Sequence, residues 1–482
     1  MTATELFRGG VSVYCVGIKG TGVCALAELM HDAGMKVSGS DTGEIFYTDA
    51  ILKKLQIPYY ENFDEVHISS DIALVIHSAA YNAETNSEIA KALRLKIPVL
   101  KYTDALGAWS SNFDSCGICG VHGKTTTTAM TGILMRAAGI PAQILSGGAA
   151  RDFGGRSTLS LGSKYFVAET CEYREHFLSF NPKRLILTSV ESDHQDYYPT
   201  YESIRDAFAR YCRLIPADGE LIYCADNQGA GEIARIAENE NRGIKLIPYG
   251  YKADGAYRIS SYKTGNEKAF FTLSGVDVEF TLRVPGEHQA QNAAAAIALT
   301  SVLAQKEKII LDNEKIQSVK EAFENFKGSK RRSEILGEAA GILFMDDYGH
   351  HPTAIKTTLA GIKKFYPERR LVVSFMSHTY TRTSALLDDF ASSFNAADFV
   401  ILHKIYGSAR EKYSGGVNGE TLFEKVRLIR GPQACCYIEE PDASFDALLE
   451  ILKPGDLFIT VGAGNNWTLG ERLFKHFGEN KK

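Results

Sequence analysis

The chain has 482 residues, 45% of them hydrophobic and 23% charged, the balance of a folded globular protein with room for about three domains. A formal net charge of -5 gives no electrostatic case for nucleic acid or an anionic membrane, and no apolar run approaches the roughly 18 to 20 residues that cross a bilayer. Nine cysteines, an odd number scattered irregularly, and an N-terminus without a basic-then-apolar leader point to reduced thiols in the cytoplasm.

In chain order, a β-rich run from Val11 to Gly17 leads through Gly17, Gly20 and Gly22 into an apolar-periodic helix over Val23 to Ala33. A second strand, Val37 to Gly39, ends in Ser40 and Asp41. This βαβ unit places a ligand crevice at its strand ends, although its G-x-x-G-x-G spacing departs from the dinucleotide fingerprint. Alternation continues through Ile72 to His77, Glu84 to Leu93 and Val99 to Lys101, giving an α/β domain over residues 1–108.

The central segment, 109–327, opens with an apolar strand from Asp114 to Cys119, then Gly120-Val121-His122-Gly123-Lys124-Thr125-Thr126, then a helix over Thr128 to Ala138. Strand, glycine turn and helix make a phosphate cradle: backbone N–H groups converge on an anion, the helix N-terminus adds partial charge, and Lys124 adds a full one. The spacing is the shortened G-x-x-G-K-T, because Ile118 stands where the standard loop has its first glycine. Strands at Ala142 to Gly148, Tyr165 to Glu169 and Leu185 to Val190 follow, the last ending at Glu191-Ser192-Asp193-His194-Gln195-Asp196. Glu172 and His194 are the best magnesium ligands beside the loop, with Thr125 contributing its hydroxyl. The bland alternative leaves Glu169 capping its strand and Glu191, Asp193 and Asp196 in a solvated loop. Residues 256 to 284 alternate like antiparallel strands added to this sheet, and the polar run up to Asn292 opens an Ala-rich helix from Ala293 to Leu303. Cys116 and Cys119 lie in the strand feeding the loop and read as core thiols.

Gly328-Ser329-Lys330-Arg331-Arg332 reads as a basic linker into a third α/β domain, 328–482. Two of its strand ends carry dense polar groups, Asp346-Asp347-Tyr348-Gly349-His350-His351 and Ser377-His378-Thr379-Tyr380-Thr381-Arg382. Such a density of His, Tyr, Asp and Arg at strand ends reads as a site.

Taken together, the loop Gly120 to Thr127, Glu172, ESDH at 191–194, PGEHQAQN, GSKRR, DDYGHHP, SHTYTRT and the late Gly462-Ala463-Gly464 resemble the cytoplasmic Mur ligases of peptidoglycan synthesis over essentially the whole chain. The Gly17–Gly22 turn, Gly39-Ser40-Asp41 and DDYGHHPT are most similar to the branch that adds the first amino acid. The resemblance implies an α/β fold of three domains: N-terminal Rossmann-like, a central P-loop ATPase-type mixed sheet, and C-terminal Rossmann-like. It also implies ATP-dependent ligation of L-alanine to the carboxylate of UDP-N-acetylmuramate by way of an acyl phosphate. Lys124, His194, His350 and Arg382 would be catalytic. Gly120, His122, Gly123, Lys124, Thr125, Thr126, Asn292, Arg331 and Asp347 would hold ATP. Gly20, Gly22, Ser40, Asp41, Tyr348, His350 and Arg382 would hold the substrates, and Thr125, Glu172 and His194 would hold Mg2+. The expected state is a monomer or a weak homodimer.

Departures from the family pattern are Gln289, where the first Asn of an H-N-x-x-N run stands, Thr379, where some members have arginine, and Cys171-Glu172-Tyr173, where DES is common. No lysine occurs between Lys183 and Lys245, the span where ligases for later amino acids place a carbamylated lysine. The main rival is the recycling ligase that joins a tripeptide to the same sugar nucleotide. A nicotinamide-dependent oxidoreductase is disfavoured by the off-pattern glycines, and a non-catalytic nucleotide sensor would not need the crowded strand ends of the third segment.

Overall fold

The computed structural model describes residues 7–479 apart from 45, 196, 241–242, 311, 329, 408–410 and 412. Asp196 of the acidic run and Ser329 of the basic linker therefore lie outside the described residues. Among the described residues no helix is long and apolar enough to cross a membrane.

Each of the three expected segments carries its own sheet. The first has five parallel strands in the spatial order Tyr59–Tyr60, Lys36–Ser40, Ser12–Val16, Leu74–His77, Val99–Lys101. The order reverses at Ser12–Val16, so loops leaving this strand and Leu74–His77 part to opposite sides and open a crevice at their carboxyl ends. The glycine turn sits there and feeds the helix Thr21–Asp32. The expected boundary at residues 108 and 109 falls inside the helix Tyr102–Ser110.

The central sheet has seven strands in the order Lys245–Tyr249, Glu220–Cys224, Arg184–Leu187, Asp114–Cys119, Tyr165–Glu169, Ala142–Ala150, Arg156–Ser160. Only the edge strand Arg156–Ser160 runs antiparallel to its neighbour. Its middle strands are continuous apolar runs because helices cover both faces. Cys116 and Cys119 are buried in this core, and the free thiols are inert to pairing. The strands Ile259–Gly265, Lys268–Leu273 and Val276–Leu282 do not extend this sheet as expected. They form a three-stranded sheet of their own, because adjacent strands joined by short turns pair with each other first. The Ala-rich helix also begins earlier than the sequence suggests, at Glu287, and runs to Lys306, so Asn292 lies within it.

The third sheet has six strands in the order Glu334–Ala339, Ile342–Asp347, Asp456–Gly462, Arg370–Met376, Phe399–Leu402, Cys435–Tyr437, parallel except for the first. Its core packs Phe344, Val372, Ile401 and Phe458 against Leu469 and Leu473. The single helix expected over Ser384 to Phe394 is two, Tyr380–Ala385 and Leu387–Ser392, because Leu386 leaves helical geometry. By compactness the chain divides into two units. One holds Met1–Ser261, Thr272–Phe280 and Gln291–Phe323, and the other Tyr262–Phe271, Thr281–Ala290 and Glu324–Lys482.

Candidate active site

The phosphate loop is built as its spacing requires. Gly120 has φ 135° and Gly123 φ 79°, both in the region that favours glycine. A Cβ at Gly120 would lie 2.1 Å from Thr188 Oγ1, and one at Gly123 2.7 Å from Asn292 Oδ1, so the cradle admits no side chain at either. The helix Lys124–Ala138 starts directly at the lysine, with no side chain capping its first turn. Those N–H groups and the dipole behind them are oriented for an anion. The loop is held from beneath: Val121 N donates to Ser189 O, His122 N to Ser189 Oγ, and Thr188 Oγ1 to His122 O.

Lys124, Glu172 and His194 meet. Lys124 Nζ donates to Glu172 Oε2 at 2.8 Å, and His194 Nε2 lies 3.2 Å from Glu172 Oε1. Burial works against both charges of the first pair. Mutual attraction more than offsets it, holding the ammonium above the ordinary lysine range and the Glu172 carboxylate below its own. His194 is in a left-handed conformation, φ 54°, beside the Tyr173 ring at 4.8 Å. Glu169 accepts from Gly147 N, and Glu191 from Asn227 Nδ2. Thr125 is buried at the helix start, with Thr126 next to it. Asn292 Oδ1 accepts from Thr127 Oγ1 at 3.2 Å, against the loop.

Among the described residues no group of three or more His, Cys, Asp or Glu could hold a metal unaided. A sparse set of Thr125, Glu172 and His194 suits a hard cation that keeps phosphate oxygens and water as its remaining ligands.

At the end of the first sheet, Gly20 precedes a helix with no side-chain cap, so its leading N–H groups are again available to an anion. Gly22 makes room for the Tyr102 ring, which a Cβ would meet at 2.7 Å. Ser40 Oγ donates to buried Glu88, and Asp41 accepts from the backbone N–H groups of Lys19 and Thr42. Burial raises the Asp41 carboxyl above its ordinary value despite these donors.

In the other unit Arg331 extends beside the strand Ile342–Asp347. Its Nε donates to Asp346 at 3.0 Å, its Nη2 to Gly462 O at 2.7 Å, and its guanidinium lies 4.8 Å from the Tyr348 ring. The Asp347 carboxylate accepts from Ser333 N and Gly349 N, pinning the basic segment to the strand end. Tyr348 and His350 rings are 5.1 Å apart, His350 and His378 5.6 Å apart, and Arg382 Nη1 lies 3.2 Å from His378 Nδ1. Burial first, then the nearby Arg382, holds the His350 imidazole well below its ordinary value, so it is neutral at physiological pH. His351 instead caps the helix Pro352–Phe365.

Comparison with known proteins gives three matches to the Mur ligases: the Mur ligase family, catalytic domain over residues 12–114, the Mur ligase middle domain over 118–300, and the Mur ligase, glutamate ligase domain over 331–464. The chain belongs to the Mur ligase family. A UDP-N-acetylmuramate--L-alanine ligase from Treponema pallidum (strain Nichols) is 48% identical over 470 residues, 98% of this Mur ligase and 97% of that protein. Among solved structures, a UDP-N-acetylmuramate-alanine ligase from Thermotoga maritima has a TM-score of 0.78 at 24% identity, covering 98% of this chain and all of that one. A murein peptide ligase from Psychrobacter arcticus has a TM-score of 0.65 at 22% identity over 98% and 100%.

Sequence reasoning missed several residues that shape this Mur ligase's site. Thr188 and Ser189 hold the phosphate loop, and their only sequence signal is two hydroxyls at a strand end. Asp346 is the partner of Arg331, while Asp347 turns to Ser333 and Gly349. The alternation of a strand signals as much, since neighbours face opposite sides. Glu88, fully buried, takes Tyr14, Ser40 and His67 as partners, and nothing local announces it.

Proposed function

We propose that this Mur ligase joins L-alanine to the carboxylate of UDP-N-acetylmuramate, driven by ATP. The observation that carries the reading is the near full-length 48% identity to enzymes of that name, with Lys124, Glu172 and His194 gathered on the phosphate loop. The muramyl carboxylate oxygen takes the γ-phosphoryl group of ATP and ADP leaves. The alanine amine then attacks the acyl carbon and gives up a proton, and the tetrahedral adduct expels phosphate to leave an amide.

Backbone N–H groups of Gly120, Gly123, Lys124, Thr125 and Thr126 cradle the phosphates, His122 shapes the turn through its bond to Ser189, and the Lys124 ammonium offsets charge that grows on the transferred group. The ammonium is held on Glu172 at 2.8 Å. Thr125, Glu172 and His194 would hold Mg2+, which would supply charge neutralisation for the phosphates. Asn292, already against the loop, reads the adenine, and Arg331 serves the nucleotide, its segment shaped by Asp347. Gly20, Gly22, Ser40 and Asp41 form the sugar-nucleotide end. Arg382, beside His378, binds the alanine carboxylate as a planar fork, Tyr348 helps hold the amino acid, and neutral His350 accepts the amine proton.

The tripeptide-recycling alternative is not favoured, because relatives 48% and 38% identical over nearly their whole length carry the name UDP-N-acetylmuramate--L-alanine ligase. An amino-acid panel in a phosphate-release assay with UDP-N-acetylmuramate and ATP tests the reading. Release should require the sugar nucleotide and L-alanine together. Turnover indifferent to either, or a preference for the tripeptide, overturns it.

A further inference from the structure

The helix that begins at the glycine turn is clamped at its other end. Glu28, fully buried on the helix Thr21–Asp32, accepts from Arg156 Nε at 2.8 Å, Thr158 Oγ1 at 2.8 Å and Ser157 N at 3.3 Å. One turn on, Asp32 accepts from Arg156 Nη2 at 2.7 Å and from Ser160 Oγ at 2.9 Å. One guanidinium thus grips two carboxylates of the helix, and every donor lies on the edge strand Arg156–Ser160 of the central sheet. Tyr47 adds a tie at the start of the helix, donating to Thr21 Oγ1 at 3.2 Å.

The same strand reaches the phosphate loop. It pairs with Ala142–Ala150, but the register jumps from Leu145 opposite Thr158 to Ala150 opposite Arg156, so residues 146–149 bulge out between the clamp's own two anchor points. Gly147 N at the bulge donates to Glu169 Oε2 at 2.8 Å, and a Cβ at Gly148 would lie 3.8 Å from Thr125 Cγ2. The strand Ala142–Ala150 also packs against both the helix Thr21–Asp32 and the helix Lys124–Ala138, so packed elements join the sugar-nucleotide turn to the helix that leaves the phosphate loop.

We propose that Arg156 is a positioning residue for the ligation: by gripping Glu28 and Asp32 beside the bulge, it fixes where the sugar-linked carboxylate stands relative to the phosphate loop. This rests on the sugar-nucleotide reading of the first segment. Arg156 touches neither substrate, so its loss leaves each binding step intact and spoils alignment, where displacements of about 1 Å cost on the order of a hundredfold in rate.

The test uses the full-length protein with Arg156→Ala, Arg156→Lys and the milder Thr158→Val. Phosphate release gives kcat, and calorimetry gives the dissociation constants of UDP-N-acetylmuramate and ADP separately. Arg156→Ala should lower kcat by at least about tenfold, with both dissociation constants within about threefold of the parent. Arg156→Lys, which keeps the charge but not the two-carboxylate grip, should fall between. Thr158→Val should show the same split on a smaller scale. An unchanged kcat overturns the proposal. So does a kcat that falls only in step with weakened binding and a lowered unfolding temperature, which marks a purely structural clamp. If the parent protein itself binds no UDP-N-acetylmuramate, the sugar-nucleotide reading fails, and the variants are not needed to see it.

Discussion

Two lysines stand in glycine turns at the ends of parallel strands, and they have opposite fates. Lys19 is 1% exposed, and its Nζ is taken up by Thr42 O, Glu44 O, Asp49 and Glu61. Lys124, at 12%, rests on Glu172 and on the Gly120 and Val121 carbonyls of its own loop. The first is saturated by groups that build the domain, tying Thr42, Glu44, Asp49 and Glu61 together. The second shares its carboxylate with His194 beside the glycine loop. Arg184, enclosed by Asp114 and Glu220, and His403, bonded to Ser374 and the Ile438 carbonyl, are likewise taken up by groups that build their domains. Residue type and motif do not tell the two lysines apart; the partners do.

The sharpest way to break this contrast is to remove each lysine. Lys124→Ala should cut phosphate release by roughly a thousandfold, the scale of a lost transition-state cation, with UDP-N-acetylmuramate binding by calorimetry retained. Should sugar-nucleotide binding vanish too, the division of labour between the two turns is wrong. Lys19→Met should do the reverse, lowering stability by about 2 kcal/mol in urea titrations because the Thr42 and Glu44 carbonyls and half-buried Asp49 lose their charged donor.

Histidine titration sharpens the comparison next. Burial lowers His403 to about 4 from 6.5, so the folded protein resists a proton the unfolded chain accepts. Stability is complete above pH 6.5 and is lost as pH falls toward 4, by about 3 kcal/mol at most, and His403→Gln should flatten that slope in denaturant midpoints measured across this range. The smallest effect is expected of Arg382→Lys. It should raise KM for L-alanine about tenfold while leaving the ATP KM unchanged, since a point charge cannot reproduce a planar fork.

Much of this was legible in the chain. The strand Asp114–Cys119 and the turn after it are local patterns, and local patterns survive into the structure. Acids and imidazoles at strand ends were legible for the same reason, because parallel sheets expose only those ends to ligand. Long-range pairing was not. Nothing near Ser40 in sequence says that its hydroxyl turns to Glu88, 48 residues on, and nothing near Glu28 names Arg156, 128 residues on. The separate sheet over Ile259–Leu282 was missed because alternation reveals a strand but not which neighbour it prefers.

The oxygen of Asn292 lies under Gly123 and Thr127, 165 positions away from the latter. During synthesis on the ribosome, the nucleotide loop is therefore made long before the residue that props it emerges. Fragments ending short of the helix Glu287–Lys306 will carry every signature of a nucleotide-binding motif and none of its finished shape.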